Sequence, residues 1–413
     1  MNRTVSPAAT AALAEPQLTE FVVPEKRIDA DAARVVRKLV SAGYTAYLVG
    51  GCVRDLMLNR TPKDFDVATS ARPGDVRNLF RNCRVIGRRF RLAHVIFGEK
   101  VIEVATFRKD PGNHVDLASD WSHEVDEAPR RAHASKDDLL IRHDNVFGNP
   151  PEDALRRDFT INALFYDLQR HQVIDYVGGL EDIERRLIRT IGDADVRFRE
   201  DPVRILRAIK FAARLDLTLD DAVYEAIVAH RDELLRAARP RLFEEFLRLL
   251  RGGAARASFE LAWDTGVLSV VLPELSAFLD DEPAGRSRTW QRLEAIDREV
   301  ANGQCPPDAV LFAALLLDPT EEYLQGSRDL VNAITEFYED IQERLAISRR
   351  LYDRVRQIAV VQRRFRMGKS ASMKHREWYG EAELLFDLDR IARASVRPMK
   401  VEPVMAAGDA ATP

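Results

Sequence analysis

Apolar and polar positions follow two different periods along this chain, and the change of period divides it. Between Asp29 and Ala42, the residues Ala33, Val36, Leu39 and Val40 recur at helical spacing, and Gly43 closes the run. Thr45–Val49 then reads as a strand, Gly50-Gly51 as a turn, and Val53, Leu56 and Met57 as the inner face of a short helix. Thr61-Pro62 interrupts the chain before a strand over Asp64–Ala68, and Pro73 opens a helix that ends near Arg81. Ala93–Phe97 and Val101–Thr106 flank Gly98-Glu99-Lys100 and predict a hairpin. Further strands fall at Ile161–Tyr166 and Gln172–Tyr176. From Glu181 onward the spacing is helical, as in Val203, Leu206 and Ile209 and again through Leu242–Leu250.

This pattern predicts an α+β protein. Residues 1–28 are small, polar and Pro-containing and read as disordered. Residues 29–180 form a head with a mixed sheet. Within it, 109–145 has no apolar period and reads as a flexible loop. Residues 181–275 form a helical neck, and 276–405 a helical body and tail.

Composition narrows the class. Of 413 residues, 46% are hydrophobic, enough for sizeable cores, and 31% are charged. No run approaches 18 apolar residues, so no membrane-spanning helix is expected. The first residues lack the apolar core of a secretory signal, and Cys52, Cys83 and Cys305 form no CxxC pair. A reducing, cytoplasmic setting fits, and a disulfide framework or structural zinc site does not. The 62 basic and 66 acidic residues give a net charge of −4, which excludes nucleic-acid binding by bulk charge but not by a local face. Arg77–Arg91 holds six arginines and no acid. Arg344–Arg376 holds eleven basic residues against Asp353 alone, interleaved with Tyr352, Phe365 and Met367. That mixture suits a nucleic-acid backbone with a stacked base, and equally a solvated helix face.

The sharpest chemistry lies in LVGGCVRDLMLNRTPKDFDVAT. Two residues apart on a strand, Asp64 and Asp66 point to one face, and their mutual repulsion is relieved by a divalent cation. Mg²⁺ takes hard oxygen ligands and bridges to phosphates. Gly50-Gly51 allow a triphosphate to approach backbone N–H groups closely. Arg54 either reaches the same phosphates or pairs with Asp55. Glu103, on the Val101–Thr106 strand, is either a third carboxylate that helps activate an attacking hydroxyl or an outward-facing glutamate. In RRDFTINA, Arg156 and Arg157 are forks that match phosphate oxygens. Asn162 suits a ribose hydroxyl, and Arg157 with Asp158 also suits a plain salt bridge. Asp201 and Arg204 share a helix face, either to read a purine edge or as an ion pair.

In this order the motifs resemble the class II nucleotidyltransferases of the polymerase-beta superfamily, the bacterial poly(A) polymerases and the tRNA CCA-adding enzymes. The resemblance is carried by Gly50, Gly51, Arg54, Asp55, Asp64 and Asp66, then by Arg156, Arg157, Asp158, Asn162 and Ala163. It continues through Asp175, Gly178, Gly179 and Asp182, and through Glu200, Asp201 and Arg204 within REDPVRILRAIKFAARL. It ends in Arg239–Glu245. The stretch VIGRRFRLAHVIFG, with Gly87, Arg88, Arg89, Phe90, Leu92, Ala93, His94 and Val95, resembles the poly(A) polymerase branch. So does its continuation IEVATFR.

The resemblance implies a polymerase-beta-like head followed by an all-helical neck, body and tail. The activity it implies is template-independent transfer of AMP from ATP to an RNA 3′-hydroxyl, releasing pyrophosphate, in 3′-end polyadenylation and decay. It makes Asp64 and Asp66 ligands of Mg²⁺ and Glu103 their catalytic companion. Nucleotide contacts fall to Gly50, Gly51, Arg54, Arg156, Arg157, Asp158, Asn162, Glu200, Asp201, Arg204 and Arg207. The implied partners are RNA 3′ ends of mRNA, small RNA or tRNA, together with RNA-decay proteins. Two alternatives stand beside this: a tRNA CCA-adding or A-adding enzyme, and a catalytically inactive RNA-binding protein.

Overall fold

The computed structural model describes residues 15–87, 91–109 and 146–395. The chain divides into two compact units, one formed by residues 1–238 with 265–267 and the other by 239–264 with 268–413.

The first unit is built on an eight-stranded mixed sheet. Its elements in chain order are β1 (Gln17–Glu20), α1 (Ala30–Ser41), β2 (Ala46–Val49), α2 (Gly51–Met57), β3 (Asp66–Thr69), α3 (Pro73–Leu79), β4 (Cys83–Ile86), β5 (Leu92–Phe97) and β6 (Lys100–Thr106). They continue with β7 (Arg108–Lys109), β8 (Val146–Phe147), α4 (Pro150–Leu155), β9 (Phe165–Asp167), β10 (Gln172–Asp175), α5 (Gly179–Glu184), β11 (Leu187–Ile188), α6 (Ala194–Glu200), α7 (Val203–Leu215), β12 (Thr218–Leu219) and α8 (Asp221–His230). The strand order is β1-β10-β9-β2-β3-β6-β5-β4, in which only β3 and β6 run parallel. Asp29 caps α1 by accepting from the backbone N–H groups of Asp31 and Ala32, and the helix buries Ala32, Val35, Val36 and Leu39. Tyr47, Phe107, Phe165 and Tyr176 meet at about 6 Å in the core beneath the strands.

Several expectations are corrected here. The segment expected to be disordered contains β1, which pairs with β10 from Gln17 opposite Asp175 to Glu20 opposite Gln172. Cross-strand pairing outweighs a polar, Pro-containing composition there. Strand β3 starts at Asp66, so Asp64 precedes it. The expected strand at Ile161–Tyr166 is a 3₁₀ turn over Thr160–Asn162 followed by β9. No boundary between compact units falls at residue 180. The region 181–238 belongs with the head, where Phe159 bridges Thr190 and Arg207 pairs with Asp158. Strands β5 and β4 lie at the sheet edge, on the far side of β6 from β3. Arg88, Arg89 and Phe90 lie outside the described residues, as does all but Lys109 of the expected 109–145 loop.

The second unit is helical: α9 (Arg239–Arg251), α10 (Ala255–Asp264), α11 (Val267–Val271, whose first residue belongs to the first unit), α12 (Pro273–Asp281), α13 (Pro283–Ala301), α14 (Asp308–Leu315), α15 (Leu317–Tyr323), α16 (Leu330–Leu345), α17 (Arg349–Val360), α18 (Gln362–Arg366) and α19 (Tyr379–Ser395). Phe243, Phe246, Phe259 and Phe312 pack edge to face in its core. Arg292 on α13 is fully buried and pairs with both Asp318 and Asp389, while its Nε donates to the Ala314 carbonyl at 2.8 Å. Arg288 and Arg393 complete the neutralisation of these two acids.

The basic run of this unit is not one continuous helical tail. Arg344 forks onto Glu274, Arg354 meets Glu377 and Glu381, and Arg366 meets Glu321 and Asp389. These arginines tie helices together. Arg363, Arg364, Lys369, Lys374 and Arg376 remain exposed with no acidic partner among the described residues.

Candidate active site

The turn after β2 sets the site. Gly50 has φ +76°, a conformation that favours glycine, and its N–H donates to the Leu164 carbonyl at 3.0 Å. A Cβ on Gly50 would lie 3.1 Å from Arg157 Nη1 and 3.5 Å from the Asn162 carbonyl. The glycine therefore lets the β2–α2 turn and the RRDFTINA segment lie against each other.

Next to this turn, the parallel pairing of Val67 with Val104 sets Asp66 beside Glu103 on one face. Ile102, Val104 and Thr106 are buried behind β6, so Glu103 stands on the open face. The periodicity of VIEVAT alone leaves that orientation undecided. Glu103 also faces His94 across β5, with Nε2 3.5 Å from its carboxylate. Asp66 keeps an open path to solvent, yet the protein around it strips part of its hydration. That desolvation, with the charges of Glu103 and Asp64, raises its pKa to about 6 against the opposing pull of Arg157. Among the described residues, no three acid, His or Cys side chains converge closely enough to hold a metal ion by themselves. The donor set of Asp64 and Asp66 therefore suits a hard cation that takes one or two carboxylates and completes its shell with substrate phosphates and water.

Arg156 and Arg157 are positioned by a residue that the motif reading missed. Asp153 is buried on α4, which Asn149 and Glu152 cap reciprocally. Its Oδ1 accepts from Arg156 Nε at 3.0 Å and from the Arg108 backbone N–H at 3.1 Å, and its Oδ2 accepts from Arg157 Nη2 at 2.8 Å. These interactions outweigh the burial that pushes its pKa up, and hold the carboxyl below the usual range. The signal is present in the sequence: Asp153 lies three and four residues before the two arginines, the spacing of helical ion pairs.

Beneath the turn, four of the predicted residues engage one another, together with Asp55. Arg54 is 3% exposed, pairs with Asp55 and donates from Nη1 to Asn162 Oδ1 at 2.5 Å. Asn162 Nδ2 donates to Asp158 at 3.2 Å, and Arg207 pairs with the other oxygen of Asp158 at 2.6 Å. Burial pushes the Asp158 pKa up, but Arg207 and the hydrogen bonds from Asn162, Arg207 and Phe159 N–H bring it down to about 2. Arg54, Asp158 and Asn162 thus brace the turn from within, and Arg54 takes the Asp55 partner left open by the sequence. Gly51 completes the group above them, since a Cβ there would meet Arg54 Nη2 at 3.6 Å.

The Asp175–Asp182 motif supports the same turn from behind. Asp175 accepts from the N–H groups of Val177, Gly178 and Leu180. A Cβ on Gly179 would fall 2.3 Å from the Thr160 carbonyl, so glycine is required for this approach, and Asp182 accepts from Thr160 Oγ1 at 2.6 Å.

Glu200, Asp201 and Arg204 gather where α6 passes into α7. Arg204 Nη1 reaches Glu200 at 3.1 Å, and its Nε lies 4.0 Å from Asp201. Arg197 stands behind them. It is 6% exposed, and nothing in its motif signals its partners, because they are mostly backbone carbonyls.

Comparison with known proteins bears on this arrangement. Residues 46–189 match the family model "Poly A polymerase head domain", and residues 216–279 match "Probable RNA and SrmB- binding site of polymerase A". The chain is 38% identical over 397 residues to poly(A) polymerase I of Salmonella typhimurium, covering 91% of this chain and 83% of that protein. It is 35% identical to the CCA-adding enzyme of Lactobacillus helveticus, over 57% of this chain and 53% of that one. Among solved structures it resembles the Bacillus stearothermophilus CCA-adding enzyme in complex with CTP. The TM-score is 0.60 and the identity 25%, covering 89% of this chain and 78% of that chain.

Proposed function

We propose, for a chain that belongs to the poly(A) polymerase family, that the open face beside the Gly50-Gly51 turn transfers AMP from ATP to an RNA 3′-hydroxyl without a template, releasing pyrophosphate. The observation that carries this reading is Asp66 set beside Glu103 on the open face by the β3–β6 pairing, next to a glycine turn flanked by Arg157. The wider coverage by poly(A) polymerase relatives than by CCA-adding relatives favours A addition.

Asp64 and Asp66 would hold Mg²⁺, which when bound stabilises charge on the phosphates and lowers the pKa of the attacking hydroxyl. Glu103 adds negative charge on the side where the hydroxyl proton leaves. The Gly50-Gly51 backbone and the Arg156 and Arg157 guanidinium groups, fixed by Asp153, orient the triphosphate. Asp201 and Arg204 offer an acceptor and donors to the adenine edge, with Glu200 fixing Arg204. Arg54, Asp158, Asn162 and Arg207 act one layer below, holding the turn in place.

The RNA strand is assigned to the exposed cations Arg363, Arg364, Lys369, Lys374 and Arg376, whose charge is not cancelled by neighbouring acids. The same backbone chemistry admits the 3′ ends of mRNA, small RNA or tRNA. Association with RNA-decay proteins in the cytoplasm is part of the same proposal. No helix among the described residues is long and apolar enough to cross a membrane.

The test supplies each nucleoside triphosphate separately to oligo(A) and to a tRNA ending at its discriminator base. ATP alone should extend oligo(A). Addition of C before A to the tRNA, with oligo(A) left unextended, would replace this reading with CCA addition. No addition with any triphosphate would leave an RNA-binding protein.

A further inference from the structure

Arg197 occupies the last turn of α6, and its side chain is almost fully buried. Its Nη2 donates to the backbone carbonyls of Arg156 at 3.1 Å and Arg157 at 2.6 Å. Its Nη1 donates to Glu200 Oε2 at 2.8 Å. The same oxygen accepts from Arg204 Nη1 at 3.1 Å, and Arg204 Nη1 in turn donates to the Arg197 carbonyl at 3.1 Å. One guanidinium therefore touches the turn that carries the phosphate-side arginines and also the carboxylate that fixes Arg204.

We infer that Arg197 is a positioning residue that links base recognition by Asp201 and Arg204 to placement of the triphosphate by Arg156 and Arg157. The inference rests on the nucleotide-binding reading given above. The chemistry needs an arginine. The planar fork serves acceptors in two directions at once, whereas a lysine ammonium keeps the charge but acts as a point. Asp153 holds the side chains of Arg156 and Arg157, and Arg197 holds their backbone, so the pair is fixed from both sides. With the Arg197 link in place, a base that satisfies Asp201 and Arg204 finds the phosphate-binding groups already in register. When the link is broken, the two halves of the site move independently, and the correct base gains less over the wrong one.

The test is Arg197→Lys in the full chain, with ATP and CTP affinities measured by titration calorimetry without RNA. Turnover is measured separately on oligo(A). The ATP-over-CTP affinity ratio should narrow about tenfold, the size expected for loss of one charged hydrogen-bond link. ATP should lose kcat on oligo(A) more than CTP does. The ratio, taken on folded protein, is the readout, because loss of the buried hydrogen bonds of Arg197 also lowers the melting temperature. If both nucleotides weaken by the same factor, Arg197 is only structural and the inference is overturned. It is equally overturned if the ratio is unchanged, or if the wild type binds ATP and CTP alike. Should Arg197→Lys fail to fold, Glu200→Gln cuts the same link from its other end and is read by the same ratio, with a narrowing expected and an unchanged value overturning the inference. Failure of the polymerase reading appears elsewhere, as a wild type that does not extend oligo(A). The calorimetric ratio still tests Arg197 in that case.

Discussion

The two units treat carboxylates in opposite ways. In the helical unit, Asp318 and Asp389 are almost fully enclosed, and Arg288, Arg292, Arg366 and Arg393 converge on them. In the head, Asp66 lies beside Glu103 on an open face, and loss of hydration, with the charges of Glu103 and Asp64, raises its carboxyl toward neutrality. Enclosed and matched charge is a structural joint, and removing one partner leaves the other stranded. Open and unmatched charge does no such structural work, and suits the cation proposed above. The same distinction separates Asp158 from Asp66 within the head, and it divides the basic run into arginines that join helices and cations that face solvent.

The strongest way to break this comparison is to remove the unmatched acids. Asp64→Asn and Asp66→Asn should each lower nucleotide addition by at least about 100-fold, the scale of a single strong electrostatic contribution. Neither should lower the melting temperature in chelator. A loss of stability would place these acids with the structural ones. Glu103→Gln should reduce kcat by a similar order while ATP affinity stays near wild type, because the proposed role of its charge is where the hydroxyl proton leaves.

The matched acids should respond in the opposite sense. Asp389→Ala takes from the buried Arg292 one of its two carboxylate partners and should cost up to about 3–5 kcal/mol of the helical unit's stability. In a thermal melt that is a shift of roughly 10 °C for a unit of this size. ATP affinity of the surviving folded protein should be unchanged. A melt like wild type would show that Asp318 and the Ala314 carbonyl suffice for Arg292.

Acidity sharpens the contrast within the head. Asp66 has a folded pKa of about 6, above its ordinary value near 4, so its ionisation disfavours the folded state. Without metal, stability attributable to Asp66 is full below about pH 4 and falls as pH rises through about 6. Asp66→Asn should flatten that fall. Asp158 behaves in reverse. Its folded pKa of about 2 contributes stability above about pH 4, of order 2 kcal/mol, which is lost as pH falls toward 2. Melting curves from about pH 3 to 8 in chelator read both. A slope above about pH 5 that survives Asp66→Asn would assign it to another group.

Much of the fold's outline was legible, because helices with a buried stripe and turns marked by Gly or Pro announce themselves locally. The hairpin around Gly98 and the glycine turn at Gly50-Gly51 belong to that class. The strand β1 was not legible, since its partner β10 lies far along the chain and composition carries no record of that pairing. In the site, motif spacing pointed to the acids and the arginines. It could not tell that Arg54, Asp158 and Asn162 turn inward onto one another, because the same residue types serve phosphates and buried networks alike. Asp153 was recoverable from helical spacing. Arg197 was not, because carbonyl acceptors have no side-chain signature.

The smallest effect concerns the exposed cations. Replacing Arg363, Arg364, Lys369, Lys374 and Arg376 by Ala should weaken oligo(A) binding, and the logarithmic salt slope should fall by about 0.7 for every phosphate no longer neutralised. Melting temperature and ATP KM at saturating primer should stay unchanged. A lower melt with unaltered RNA affinity would move these residues to the structural class of Arg354 and Arg366.

The order of strands in the head has a consequence for synthesis. On the ribosome, β3, α3, β4, β5 and β6 emerge together and pair with near neighbours in sequence. Strand β2 waits for β9, and β1 for β10, with Gln17 opposite Asp175. One side of the sheet can thus form while the other still lacks its partners, and its closure waits on residues made more than a hundred positions later. Until then the free flank of β2 is an unpaired edge beside apolar side chains. Nascent chains stalled before residue 165 should engage chaperones and proteases far more than chains released past residue 180.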